Sequence, residues 1–461
     1  MHIRDAVWIH RPQVQAAGAF RLMSAATPPS SSFSKSKRLD NLDLRIRDAE
    51  SDLVELTADL IRIPTINPPG DGYGEICDYL EKRLRRSGFA IERVRAKGAV
   101  GDSDKYPRWN IMARHEGCDK GECVHFNSHT DVVAVGDRWS VDPFAGVVKD
   151  GRVYGRGACD MKGGLAASII AAECFIAEFP EYCGAIEISG TCDEESGGYA
   201  GVAYLAERGW FDPSRVQHVI IPEPLNKDRI CLGHRGVWWA EIETFGHIAH
   251  GSMPFLGDCA VRHMAAVMEK FESELYPALA ERQTEMPVVP EGARRSTMNI
   301  NSIHGGLEEP ESGYTGFPAA LVPDRCRMII DRRFLMEENM ESVKQEIKDL
   351  LERTKSQRPT FDYQLSELFT VAPTMTEKDA PVVAAVADAI RSKLECEPDY
   401  VVSPGTYDQK HIDRIGKLHN CIAYGPGILD LAHQPDEYVG IQDMMDSAKV
   451  MGSTLASLLV P

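Results

Sequence analysis

The chain has 461 residues, of which 43% are hydrophobic and 26% charged, a globular composition with material for more than one core. Its formal net charge of −18 repels phosphate backbones and anionic membranes, which argues against nucleic acid and membrane as partners. A small acidic substrate stays open, because a cationic metal pocket can dominate its own field. The 12 cysteines are scattered, with no C-x-x-C pair, and no run reaches the ~18 apolar residues of a membrane span. Free thiols in the cytoplasm are the expectation.

Residues 1–38 read as a tail: Ser-rich, basic and poor in acids. A flexible extension, an over-long start and a transit segment all fit that composition. Leu42, Ile46, Leu53, Leu56, Leu60 and Ile61 recur at three- and four-residue steps, which predicts an amphipathic helix ended by IPTINPPG. A helix over Glu75–Ser87 and a strand at FAIERVRA follow. ECVHFNSHTDVV reads as a buried strand running into a loop, and GRGACDMKGG as a Gly-rich turn before a helix. AIEISGTCDEESGG and VQHVIIPEPL are strands that end in acidic loops. Strands alternating with helices predict an α/β layer with a mostly parallel sheet flanked by helices.

The pattern changes after His234. GVWWAEIETFG, STMNINSIHGG, CRMIIDRRFLM and TFDYQLSEL are strand-like, with helices after the first and third. That is the βαββαβ order of a ferredoxin-like α+β domain. The expected organisation is a tail (1–38), a catalytic domain in two parts (39–234 and 368–461) and an inserted domain (235–367).

Polar clusters fall where strands end, the usual place for ligands in open α/β sheets. They are His129-Thr130-Asp131, Asp160, Asp193-Glu194-Glu195, Glu223 and, after CIAYGPG, His433. Adjacent buried acids raise one another's pKa unless a cation neutralises them. Two ions about 3.5–4 Å apart need a bridging carboxylate and terminal ligands on each. His129, Asp160, Glu195, Glu223 and His433 supply that set, which suits zinc first and also cobalt or manganese. Asp131, two residues beyond His129, is placed to accept from the other ring nitrogen. Glu194 is left over as a base for the attacking water. Taken singly, each motif is better explained as a turn, a solvated acidic loop or a surface histidine. GRGACDMKGG also lacks the G-x-x-x-x-G-K-[ST] of a nucleotide loop.

The ordered set SHTDVV, DGRVYGRGACDMKGG, TCDEESGG, IPEP and AHQPDEYV resembles the M20 metallopeptidase family, from about residue 42 to the C-terminus. Within it the chain looks most like the acetylornithine deacetylase/succinyl-diaminopimelate desuccinylase branch. The resemblance implies that His129 and Glu223 hold one ion, Glu195 and His433 the other, and Asp160 bridges, with a cis peptide after it. It implies Glu194 as general base and Asp131 as the orienter of His129. The inserted domain would be a lid and dimerisation domain.

FGHIAHGSMPFLGD resembles the segment whose histidine, here His250, reaches a neighbouring subunit's site to stabilise the oxyanion; His247 is the weaker candidate. Arg333 resembles an arginine that takes a substrate carboxylate, with Arg332 still open and Asn299 as a further binding candidate. Ala320-Leu321-Val322-Pro323 departs from the Asn-x-Val-Pro of many relatives, which puts a succinylated substrate in doubt. Trp238, Trp239 and the GGLEEPESGYTGFP insertion read as strand packing and a surface loop, although they could reshape the pocket.

The expected enzyme is a homodimeric two-metal amidohydrolase acting on an N-acyl amino acid or similar small carboxylate-bearing amide. A dipeptidase or carboxypeptidase, an aminohydrolase on an atypical amine, and a non-catalytic metal-binding protein are the alternatives.

Overall fold

Asp119–His129 is the spine of the larger sheet in the computed structural model, which describes residues 35–306 and 320–461. This strand pairs in parallel with Cys183–Thr191 on one side and His218–Ile221 on the other. Both its neighbours and its own C-terminal half are buried, as expected of strands covered on two faces. Cys421–Ala423 continues the parallel set beside His218–Ile221. Toward the edges the pairing turns antiparallel: Ala90–Arg95 with Trp109–Glu116, and Thr374–Met375 with Arg229–His234. The nine-stranded sheet is therefore mixed, with its parallel pairings concentrated at the centre and beside the Arg229–His234 strand.

Helix Gly163–Glu178 is apolar nearly all round and lies buried against the sheet, which is why its sequence shows almost no polar face. A Cβ on Gly164 would sit 1.9 Å from the Pro222 carbonyl oxygen, so only glycine lets this helix start so close to the loop bearing Glu223. The C-terminal helix Ile441–Leu459 covers it from outside. The expected continuous helix over residues 42–61 is two helices, Lys35–Asp48 and Glu50–Arg62, that break at Ala49. The first begins at Lys35, inside the stretch expected to be a tail; residues 1–34 lie outside the described residues.

The second sheet is wholly antiparallel, in the order Thr297–Gly305, Arg325–Phe334, Gly236–Phe245, Asp362–Val371. Helices Ala260–Lys270 and Met340–Gln357 bury one face of it around Trp238, Met264, Met328, Ile330 and Ile347. Alternation along Arg325–Phe334 places Cys326, Met328, Ile330 and Arg332 inward and Asp331 and Arg333 on the open face. The last strand runs to Val371, past the expected boundary at 367. Residues 307–319, most of the GGLEEPESGYTGFP insertion, are outside the described residues. Among the described residues no helix is long and apolar enough to cross a membrane.

Candidate metal centre

Three buried strands deliver their ends to one place. His129 closes Asp119–His129, Glu194 and Glu195 follow Cys183–Thr191, and Glu223 follows His218–Ile221. Asp160 comes from the turn Ala158–Lys162, which has non-helical dihedrals at Asp160 and a cis peptide bond to Met161. Asp193 and His433 both adopt positive φ (70° and 64°), which turns the acidic loop and the His433 loop toward the same point.

Asp160 presents one oxygen to each histidine. His129 Nε2 lies 3.0 Å from Asp160 Oδ1 and 4.0 Å from Glu223 Oε1. His433 Nε2 lies 3.4 Å from Asp160 Oδ2 and 3.2 Å from Glu195. Ligand atoms of His129, Asp160 and Glu195 all fall within 4.8 Å of one another.

The other nitrogen of His129, Nδ1, is 3.0 Å from the Asp131 backbone carbonyl, so Nδ1 must donate there. In the neutral ring Nε2 is then a bare lone pair that faces carboxylate oxygens. Acceptors aimed at acceptors need a cation between them, and a divalent ion fits.

The electrostatics agree. Burial, reinforced by the charge of Asp160, pushes Glu223 well above the carboxylate range, and burial pushes Glu195 up to about 7. His433 is pushed up to about 10, chiefly by hydrogen bonding to Asp160 and then Glu195. Burial works against ionised Asp160, yet hydrogen bonds from both histidines hold it well below the usual range. Protons on the two imidazoles thus occupy the positions that divalent ions would take, and ion binding would release them.

Asp131 does not play the part expected of its side chain. Its carboxylate stands 3.7 Å from His129 Nδ1, and the main-chain carbonyl takes the hydrogen bond instead. The carboxylate accepts from the backbone N–H groups of Glu194 (3.2 Å) and Glu195 (3.1 Å) and from Asn67 Nδ2 (3.0 Å). It anchors the acidic loop rather than the ring.

Sequence reasoning missed several groups. Glu437 accepts from the N–H groups of Cys159 and Asp160 and pairs with Arg156, whose guanidinium also reaches the His433 carbonyl. This buried ion pair ties the Asp160 turn to the His433 loop. Lys410 Nζ sits 3.0 Å from Glu194 Oε1, and His411 donates through Nε2 to the Gly197 carbonyl. Glu437 lies four residues after His433 and Arg156 four before Asp160, so proximity in sequence was a usable signal for that pair. Lys410 and Asn67 gave none.

Candidates on the second sheet are not gathered into the centre. His250 is exposed, and its ring accepts from the N–H of Ser252 and contacts the Ser252 hydroxyl at 2.7 Å. His247 bonds to the Ile248 carbonyl. Arg333 makes a two-pronged contact with Asp331 at 2.7 and 2.9 Å. Asn299 pairs in register with Asp331 on the neighbouring strand, and its amide donates to Asn301. Arg332 is buried against Glu338 and Ser296, which makes it a structural residue. Trp238 belongs to the core, whereas Trp239 packs edge-on to Phe369 and Phe369 to Tyr199, beside the acidic loop.

Residues 125–457 match peptidase family M20/M25/M40, and the chain belongs to that family. It is a metallo-hydrolase acting on amide or peptide C–N bonds. Its fold is similar to that of human carnosine dipeptidase 1, with a TM-score of 0.71 and 20% identity over 91% of this chain and 98% of that one. It is similar also to the dipeptidase Dug1p of Saccharomyces cerevisiae (TM-score 0.71, 17% identity, 91% and 98% covered). An M20 metallo-carboxypeptidase of Sulfolobus solfataricus matches with a TM-score of 0.70 and 19% identity, over 88% and 98%. These structural likenesses establish the fold and the family model establishes the family; neither reaches as far as the deacetylase branch.

Proposed function

We propose that the protein is a two-metal amidohydrolase that removes the acyl group from an N-acyl amino acid or a similar small carboxylate-bearing amide. The observation that carries this reading is the division of labour in the acidic loop. Glu195 faces His433 and Asp160 as a ligand, while its neighbour Glu194 is held apart by Lys410 and is free for proton transfer. His129 and Glu223 would hold one ion, Glu195 and His433 the second, and Asp160 both; zinc is the metal the ligand types favour, with cobalt or manganese tolerated. When bound, the ions supply Lewis acidity toward the scissile carbonyl and acidify water.

Glu194 takes a proton from the water as its oxygen adds to the carbonyl carbon, and returns it to the nitrogen as the C–N bond breaks. Arg333, fixed by Asp331, keeps guanidinium donors for the substrate carboxylate, with Asn299 beside it on the same open face. His250 would donate to the oxyanion from the partner subunit of a homodimer. Its exposure supports that role, as does the apolar stretch after it, in which Phe255 is 80% and Leu256 61% exposed. A cytoplasmic location fits the free cysteines.

A dipeptide is the second reading, favoured by the likeness to dipeptidases and a carboxypeptidase. Mass spectrometry of products from a mixed library of N-acyl amino acids and dipeptides, with and without chelator, separates the two. Free acid and amino acid from acylated substrates alone support the deacylase. Cleavage confined to dipeptides overturns it. Glu194→Gln should lower kcat by on the order of 10³-fold and keep its metal; retained activity removes Glu194 from the mechanism.

A further inference from the structure

Lys410 is a buried charge that the proposed chemistry does not call on. It lies in the short helix Gln409–Arg414, is 4% exposed, and its ammonium hydrogen-bonds to Glu194 Oε1 at 3.0 Å. A buried ammonium is strongly disfavoured unless it is paired, and this one pairs with Glu194, for which no contact with either histidine is found among the described residues.

The same short segment grips the acidic loop at two further points. His411 Nε2 reaches the Gly197 carbonyl at 2.7 Å, and Asp408 Oδ1 packs so closely on Gly198 that a Cβ there would lie 2.9 Å from it. Asp408 is itself fixed by Asn127 Nδ2 at 3.0 Å. From the opposite side the Asp131 carboxylate holds the N–H groups of Glu194 and Glu195. The backbone of the loop is therefore secured without Lys410, whose hydrogen bond goes to the Glu194 side chain.

We infer that Lys410 is a positioning residue that fixes the Glu194 carboxylate in one orientation, with Oε1 bound to the ammonium and Oε2 turned to the attacking water. The inference rests on Glu194 as the base. The proton leaving water goes to Oε2, the water oxygen bonds the carbonyl carbon, and the carbonyl π pair moves to its oxygen. Oε2 then returns the proton to the nitrogen as the C–N bond breaks. Lys410 neither gains nor loses a proton in this sequence; it removes the freedom of Glu194 to rotate away, and misplacement of about 1 Å can cost on the order of 10²-fold in rate.

The test compares Lys410→Met, Lys410→Arg, Glu194→Gln and the double variant Glu194→Gln/Lys410→Met, each with metal content and thermal midpoint measured. Lys410→Met should lower kcat by on the order of 10²-fold while KM and metal content stay near wild type. Lys410→Arg should recover part of the loss. In the Glu194→Gln background Lys410→Met should cost nothing further, because it acts through that carboxylate. Full activity in Lys410→Met with Glu194→Gln inactive overturns the inference alone. An equal further loss in the double variant does so too, as does a change confined to KM. Full activity in Glu194→Gln removes the base and the inference with it. If Lys410→Met fails to fold, Lys410→Gln, alone and combined with Glu194→Gln, carries the same comparison with the same outcomes.

Discussion

The rim of the large sheet and the open face of the small one both carry polar candidates, yet they are built on opposite principles. At the rim, the groups hold one another across different elements: Asp160 lies between both histidines, Asp131 anchors the acidic loop, and Arg156 with Glu437 anchors the His433 loop. On the small sheet, His250 and Asn299 make bonds within their own loop or strand, and Arg333 spends one edge on Asp331 two residues away. One region is complete in a single chain. The other presents donors that point outward, as a surface does that awaits a substrate or a second subunit.

Four changes should sharpen or break this contrast. The largest effect belongs to the rim: Arg156→Met leaves Glu437 buried and unpaired, and should cost about 3–5 kcal/mol of stability, read from urea unfolding. A loss below about 1 kcal/mol, typical of a surface pair, would mean that the rim is not braced through this pair. On the small sheet, His250→Ala should lower kcat by on the order of 10²–10³-fold with little change in stability. Mixing it with inactive Glu194→Gln should restore about a quarter of the wild-type rate, since half the dimers are mixed and each then holds one complete site. No recovery on mixing would place His250 outside the partner's site.

Arg333→Lys should act mainly on KM, raising it roughly tenfold for a carboxylate substrate and less for its methyl ester, because an ammonium cannot reproduce the fork. Equal effects on acid and ester would separate Arg333 from the carboxylate. Asn299→Ala is the smallest, about twofold or less in kcat/KM, the size of a lost exposed neutral hydrogen bond. The rim also predicts a pH effect. Glu195 without metal titrates at about 7, and an ion needs its carboxylate form. His433 without metal holds a proton up to about 10, so metal affinity should fall as pH drops below about 10 and fall more steeply below about 7, where Glu195 also takes a proton; competition with a chromogenic chelator would register both slopes.

The same contrast explains what a reader of the sequence could see. His129, Asp160, Glu195, Glu223 and His433 sit at strand ends or in marked turns, where an apolar run gives way to a cluster of His, Asp and Glu. Their chemistry then follows from residue type. The βαββαβ order was legible too, although the strand end at Val371 was not, because a bulge between Glu367 and Phe369 interrupts the alternation and the strand resumes beyond it. What escaped notice are groups whose meaning depends on what they touch. Asp131 has the spacing of a ring orienter, yet in the fold its main-chain carbonyl performs that task. Lys410 lies in the charged stretch QKHIDR, and its burial against Glu194 is a tertiary fact without a local signature.

The central claim is that Asp160 is shared between two ions. Metal content by inductively coupled plasma mass spectrometry, on wild type and Asp160→Asn after dialysis at pH 8, tests it most directly. The account predicts two equivalents per chain in the wild type and loss of both in the variant, since each ion forfeits a charged ligand. One equivalent in the wild type, or a variant that loses a single ion and retains the other, would contradict it.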